Sequence, residues 1–188
     1  MRYFEKLSGE RLFLSPMHPE DASAYTKWLN DPAVAVGFGM YQMMISLPRE
    51  RKHAEALPDD DHEFAIVLRE NALLREGGGE RLIGYICLLG PNYVDCSAKL
   101  SVFIGEEADR GRGYGAEAIR LLLGYAFNTL HLHNIQLHLN SDNERALACY
   151  KKVGFREFGR RRESKFHSGR YVDEIYMDIL DSEFLEGR

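Results

Sequence analysis

Ser101-Val-Phe-Ile-Gly-Glu-Glu-Ala-Asp-Arg-Gly-Arg-Gly-Tyr-Gly-Ala116 is the stretch that decides the fold. It reads as a strand, a short loop with glycines at alternate positions, and an amphipathic helix. Beyond Gly115, apolar residues recur at spacings of three and four: Ala116, Ile119, Leu123, Ala126, Phe127 and Leu130. Glu117 and Arg120 fall off that stripe, so the helix buries one face. A glycine-rich turn at a helix N-terminus leaves backbone N–H groups unpaired, where the macrodipole is positive. Glycine also permits φ > 0 and close approach by another molecule. Phosphate is the natural guest, and Arg110 and Arg112 add mobile positive charge. The plainer reading, open on the loop alone, is a tight strand-to-helix turn.

Two nucleotide motifs fail here. A Walker A loop needs Lys-Ser/Thr after its last glycine, where this chain has Ala116-Glu117. The dinucleotide fingerprint needs Gly-x-Gly-x-x-Gly early in a βαβ unit, whereas this loop is Gly-x-Gly-x-Gly and lies past mid-chain. A second motif follows: Ile135-Gln-Leu-His-Leu139, then Asn140-Ser-Asp-Asn143-Glu-Arg-Ala146-Leu-Ala-Cys-Tyr150-Lys-Lys-Val-Gly154-Phe155. Arg110-Gly111-Arg112-Gly113-Tyr114-Gly115 resembles the acyl-CoA loop Gln/Arg-x-x-Gly-x-Gly/Ala of the GNAT N-acetyltransferases. The later segment resembles that family's strand and its Asn-x-x-Ala-x-x-x-Tyr helix ending in Gly-Phe. The resemblance runs over roughly residues 10 to 180, closest to the ribosomal-protein and spermidine acetyltransferase branch.

The resemblance implies an α/β (α+β) fold: a single mixed, mostly antiparallel sheet of about six to seven strands, flanked by about four helices. It implies acetyl-CoA as co-substrate, its pyrophosphate held by Arg110, Gly111, Arg112, Gly113, Tyr114, Gly115 and Ala116. The main chain of Val102, Phe103 and Ile104 would flank the pantetheine arm and polarise the thioester carbonyl, as an oxyanion hole does. Asn143 and Ala146 would meet the same arm, although Asn143 is also a good N-cap for the helix beginning at Glu144. Tyr150 is the expected general acid, since a phenol of pKa ~10 is protonated at neutral pH. Its plain alternative is packing with Leu147 and Val153. In one respect the chain departs from its branch. Where a Glu commonly begins the strand before the loop, Ala98-Lys99-Leu100-Ser101 puts Lys99. Ser101, His138 and Glu63 then remain as candidate bases.

The 188 residues suit one domain, 1–188, with 45% hydrophobic and 28% charged residues. A net charge of −5 argues against a dedicated nucleic-acid binder and is compatible with a cationic substrate. Cys87, Cys96 and Cys149 have no metal-ligand spacing and cannot all pair, which suggests reduced thiols in a cytoplasmic protein. His131, His133 and His138 lack the spacing of a metal helix, so no metal is expected. No apolar run approaches the ~18 residues of a membrane span, and no signal peptide is visible.

Elsewhere, Glu10–Ser15 reads as a first strand, and Glu20–Asn30 as a helix stopped by Asn30-Asp31-Pro32, with Trp28 a core anchor. Residues 33–46 lack a clean period and read as an acceptor-facing loop. Met40, Met43 and Met44 either pack in the core, the ordinary outcome, or form a soft wall. A helix is expected over Pro48–Leu57. Asp59-Asp60-Asp61-His62-Glu63 is a solvated turn or a docking patch for a polycation. Phe64–Leu68, Leu82–Leu89 and Cys96–Ile104 read as strands, with a hairpin tip at Gly77–Glu80. Phe155–Glu163 and Arg170–Ile179 form a last strand pair, turned by Ser164–Gly169. Tyr171, Asp173, Ile175 and Met177 share one strand face.

The function so implied is acetyl transfer to an amine by direct attack in a ternary complex. The acceptor is left open among a protein N-terminal α-amine, a polyamine and another small amine. The rival reading is a non-catalytic acyl-CoA-binding regulator, motivated by Lys99. Family members often dimerise through exposed sheet edges, so a homodimer is compatible.

Overall fold

The computed structural model describes residues 2–58, 62–69 and 79–186. The acidic positions 59–61 and the glycines 77 and 78 of the expected hairpin tip lie outside these residues. Among the described residues, eight strands follow the hydrogen-bonded order β1-β2-β3-β4-β5-β6-β8-β7. They are β1 (Leu7–Ser8), β2 (Leu12–Pro16), β3 (Glu63–Arg69), β4 (Glu80–Asn92), β5 (Ser97–Ile104), β6 (Asn134–Asn140), β7 (Arg156–His167) and β8 (Arg170–Leu180). The expected six or seven become eight because β1 is a separate two-residue strand, pairing Leu7 with Leu14. The sheet is mixed as expected: β5 and β6 run parallel over Ser97–Lys99, while β1–β2, β2–β3, β3–β4, β6–β8 and β7–β8 are antiparallel.

Among the described residues there are six α-helices rather than about four: α1 (Ala22–Leu29), α2 (Pro32–Phe38), α3 (Leu47–Ala56), α4 (Tyr114–Asn128), α5 (Glu144–Val153) and α6 (Asp181–Glu186). Helix α2 corrects the loop reading of 33–46. Asn30-Asp31-Pro32 does stop α1, and the same residues start α2. The Asp31 side chain accepts from Ala33 N at 3.0 Å, Pro32 takes the first helical position, and Gly39 closes the helix in the left-handed region at φ 77°. Core packing fails for two methionines beyond it, Met43 being 48% and Met44 94% exposed. The last turn is also tighter than expected. β7 continues to His167, and Ser168 (φ 53°) with Gly169 (φ 79°) makes a two-residue hairpin.

The chain forms two compact units, Met1–Cys87 with Val102–Leu121, and Leu88–Ser101 with Leu122–Arg188. In the first, Leu12, Phe13 and Leu14 pack with five consecutive buried residues of β3, Phe64–Leu68. Such a continuous apolar strand is covered on both faces. Tyr25 and Trp28 of α1 join Val34, Tyr85 and Cys87 in a second cluster, bordered by Phe38 and Phe103. In the second unit, Leu122, Leu123, Ala126 and Phe127 of α4 are buried, as are alternate residues of β6 and β8: Ile135, Leu137 and Leu139, and Ile175, Met177 and Ile179. Phe184 of α6 closes on Phe127, ring centroids 5.5 Å apart.

The end of β5 is held from several sides within the first unit. Gly105 N donates to Ile83 O at 2.9 Å, and the Trp28 indole fills the space beside its Cα. A Cβ there would stand 2.1 Å from Trp28 Cε2. Glu106 accepts from Trp28 Nε1 at 2.9 Å and Lys27 Nζ at 2.6 Å. Asp109, 5% exposed, takes both terminal nitrogens of Arg81 at 2.6 and 2.9 Å. These donors hold its carboxyl below the usual range, outweighing the opposing effect of burial.

Gly105→Ala should destabilise the protein by about 1–3 kcal/mol through overpacking, read as a lower Tm. Gly159→Ala is the control, because a Cβ there meets nothing within 4 Å. Asp109→Asn should cost about 1.5–3 kcal/mol at neutral pH. A depressed folded pKa stabilises above the unfolded value of ~3.9 and is lost as pH falls through the folded pKa. Denaturant melts should therefore show wild type and variant converging below about pH 4.

Candidate active site

β5 delivers the chain to the glycine loop through a 3-10 turn, Glu107–Asp109. Along β5 the strict in–out alternation stops at Leu100, and Ser101 to Ile104 are all partly exposed. A strand end with both faces partly open can place its main chain against a guest. In the loop, Gly111 and Gly113 take φ of 76° and 84°, a region costly for any side chain. A Cβ on Gly111 would meet nothing within 4 Å, so that face of the loop is bare. The Glu117 N–H bonds Gly113 O at 3.1 Å. The amides of Tyr114, Gly115 and Ala116 precede this bond and have no intrahelical partner. The unpaired amides of Tyr114, Gly115 and Ala116, following the bare Gly111 at the N-terminus of a 15-residue helix, fit an anionic group such as the pyrophosphate of acetyl-CoA.

Arg110 corrects the expectation of a mobile cation. Its side chain is only 8% exposed; Nε donates to Ile104 O at 3.0 Å and a terminal nitrogen to Gly105 O. The guanidinium therefore braces the end of β5. Arg112 is exposed, as expected. A residue that the motif reading missed, Arg11, sits beside the loop instead. Its Nη1 donates to Arg112 O at 2.9 Å, its Nε to Glu117 at 2.7 Å, and its guanidinium lies 4.9 Å from the Tyr114 ring centre. Its terminal nitrogen lies 3.4 Å from where a Gly113 Cβ would be. Nothing in the local sequence marks Arg11, since the pairing joins residues 106 positions apart.

In the second unit, Asn143 caps α5, its side chain accepting from Ala146 N at 3.1 Å. Asn143 and Ala146 are both partly exposed. Tyr150 lies on the same helix, half-buried, its ring 5.9 Å from Phe155. Its hydroxyl has no hydrogen-bond partner among the described residues, and burial pushes its pKa up, so it stays protonated across the working range.

The three candidate bases differ. Ser101 is partly exposed on β5, and Lys99 points to solvent. His138 on β6 lies 3.8 Å from the buried Glu174. Partial desolvation, with Lys165 and Lys99, lowers its pKa against the pull of Glu174, although the side chain is 52% exposed. Glu63 opens β3 in the first unit, where Tyr85 OH donates to its Oε2 at 2.6 Å and His53 Nε2 lies 2.9 Å from the same oxygen. Burial would raise its pKa, but these two donors outweigh it and hold the carboxyl below the ordinary value.

A model of the acetyltransferase (GNAT) domain matches residues 11–156. Spermidine N(1)-acetyltransferase of Vibrio cholerae is 36% identical over 116 residues, 62% of this chain and 66% of that protein. N-acetyltransferase 9-like protein of Caenorhabditis briggsae is 27% identical over 191 residues, covering 90% of this chain and 92% of its own length. Among solved structures, spermidine N-acetyltransferase from Vibrio cholerae in complex with CoA and spermine has a TM-score of 0.79 at 28% identity, over 94% of this chain and 99% of that one. A dodecameric structure of the Vibrio enzyme has a TM-score of 0.75 at 27% identity, over 95% and 99%. These relatives are named as enzymes, and nothing among them favours a non-catalytic regulator. No helix among the described residues is long and apolar enough to cross a membrane. The chain belongs to the acetyltransferase (GNAT) family and is an N-acetyltransferase with acetyl-CoA as its co-substrate.

Proposed function

We propose that the acceptor is a polyamine and that its primary amine attacks directly within a ternary complex. The observation carrying the acetyl-CoA side of this reading is the loop at the start of α4, whose unpaired amides suit the CoA pyrophosphate. The Vibrio spermidine acetyltransferases, similar over 62% of the chain in sequence and 94% in structure, favour a polyamine over a protein N-terminus. A net charge of −5 suits a cationic acceptor. The exposed edge strand β7, with Phe158 56% and Phe166 50% exposed, suits self-association. The reduced-thiol reading of the sequence extends this proposal to a cytoplasmic enzyme.

Acetyl-CoA brings the acetyl group as a thioester, and each remaining requirement falls to this chain. The amides of Tyr114 to Ala116 and the exposed Arg112 would hold the pyrophosphate. The main-chain N–H groups of Val102 to Ile104 would align the pantetheine arm and draw charge from the thioester carbonyl. By the family resemblance, Asn143 and Ala146 would also serve that arm. As the C–N bond forms and the C–S bond breaks, the amine gives up a proton to solvent water and the sulfur gains one. Tyr150 is the proposed source of the second proton, its phenol kept protonated by burial.

Gly113→Glu should weaken acetyl-CoA binding by roughly tenfold or more in calorimetry, because it sets a carboxylate at an anion site and a side chain at φ 84°. Tyr150→Phe should lower kcat by about 10²-fold or more with little change in acetyl-CoA affinity, measured as thiol release with spermidine. Tight acetyl-CoA binding with no thiol release for any amine would favour the regulator instead.

A further inference from the structure

Glu63 has an uncommon setting for a carboxylate at the start of a strand. Its side chain is 11% exposed, and its two donors, Tyr85 OH and His53 Nε2, both fall on Oε2. Oε1 has no donor among the described residues, although a carboxylate can accept about four hydrogen bonds. Other titratable groups face it: Glu50 on α3 alongside His53, Tyr25 on α1, and Cys87 beside Tyr85 on β4. His53 is the one cation-forming group in that set. The carboxylate is thus desolvated, held in one orientation and, among the described residues, left with unused acceptor capacity.

A wall of rings leads away from it. The Tyr85 ring stacks on Phe103, centroids 5.6 Å apart and planes 25° apart. Phe38 stands edge-on to both, at 5.8 Å from Tyr85 and 5.0 Å from Phe103. Phe38 and Phe103 are partly exposed. Phe103 belongs to the half-open end of β5, where the thioester would be held. Tyr85 itself is buried, 8% exposed, so the order running inward from the open end of β5 is acyl end, aromatic wall, fixed anion. A polyamine has the matching order: a reacting amine, an apolar methylene spacer and a second ammonium. Aromatic faces suit both the spacer and a nearby cation, and a carboxylate with a free oxygen suits the ammonium.

We infer that Glu63 is the counter-charge for a second, non-reacting ammonium of the acceptor, and that the Tyr85–Phe103–Phe38 wall carries the methylene spacer between that ammonium and the reacting amine. The inference rests on the polyamine reading above. Through it, Glu63 acts as a selectivity group that favours diamines and polyamines over monoamines. Tyr85 and His53 position it.

The test compares spermidine with n-butylamine, a monoamine with a similar spacer, in wild type and Glu63→Gln. The measured quantity is the ratio of their kcat/KM values from CoA thiol release. The ratio should fall by roughly tenfold or more in the variant, chiefly through a higher spermidine KM, with calorimetric spermidine affinity weakened in parallel. A drop confined to kcat and equal for both amines would overturn the inference and make Glu63 a base. An unchanged ratio, with wild type turning over spermidine, would overturn the inference alone. Failure of wild type to acetylate spermidine would overturn the polyamine reading and this inference together. Gln can still accept from Tyr85 and His53. Should its Tm fall sharply, Glu63→Asp, which keeps the charge but withdraws it by one methylene, carries the same comparison, and an unchanged ratio there counts equally against the inference.

Discussion

The close approach of Gly105 to the face of Trp28 is the constraint on which the first unit depends. A chain leaving a strand ordinarily has room for a Cβ, and here an indole occupies that space. Around this contact the polar groups fall into place. Gly105 N pairs with Ile83 O, Trp28 Nε1 with Glu106, Arg110 with the carbonyls of Ile104 and Gly105, and Arg81 with Asp109. Each of these named groups is paired, so none of them carries the cost of a buried polar group left without a partner. The loop that follows starts from a fixed point, which an anion site built of backbone amides requires.

The two arginines of the region divide structural and electrostatic work in a way that charge counting does not reveal. Arg110 satisfies the motif by type yet faces inward, where its fork matches two carbonyls and keeps the strand end from fraying. Arg11 neutralises Glu117 in the first turn of α4 and touches the loop carbonyl at Arg112. Glu117 at a helix N-terminus is favourable to the dipole but hostile to a bound anion, and its ion pair with Arg11 offsets that repulsion. The charge balance at the start of α4 thus draws on a residue of the chain's opening strand region.

Much of the fold was legible because the signals were local and strong. Of the apolar residues spaced along α1, Ala22, Tyr25, Trp28 and Leu29 are buried and Ala24 is partly exposed, and the strands of the two motif regions lie within a residue or two of expectation. The misses share a cause. α2 spans seven residues, too short for a period to emerge, and its start signal, Asp31-Pro32, is also a stop signal for α1. Met43 and Met44 look like core residues by composition, but the chain turns them outward after Gly39. The fate of Ser101, His138 and Glu63 as candidates could not be ranked from sequence, because desolvation and hydrogen-bond partners set their charge, and those come from other elements.

The sequence by itself determined the loop, the glycine conformations it needs, the Asn143 cap and the order of strands and helices. Each is a property of neighbouring residues, governed by dihedral preference, helix period and the unpaired amides of a helix start. Only the tertiary structure decided that Arg110 braces β5, that Arg11 attends the loop, and that Glu63 is an oriented anion beside a ring wall. Those depend on which side chains long-range packing brings within a few ångströms, and hydrogen bonding and desolvation act over just that range.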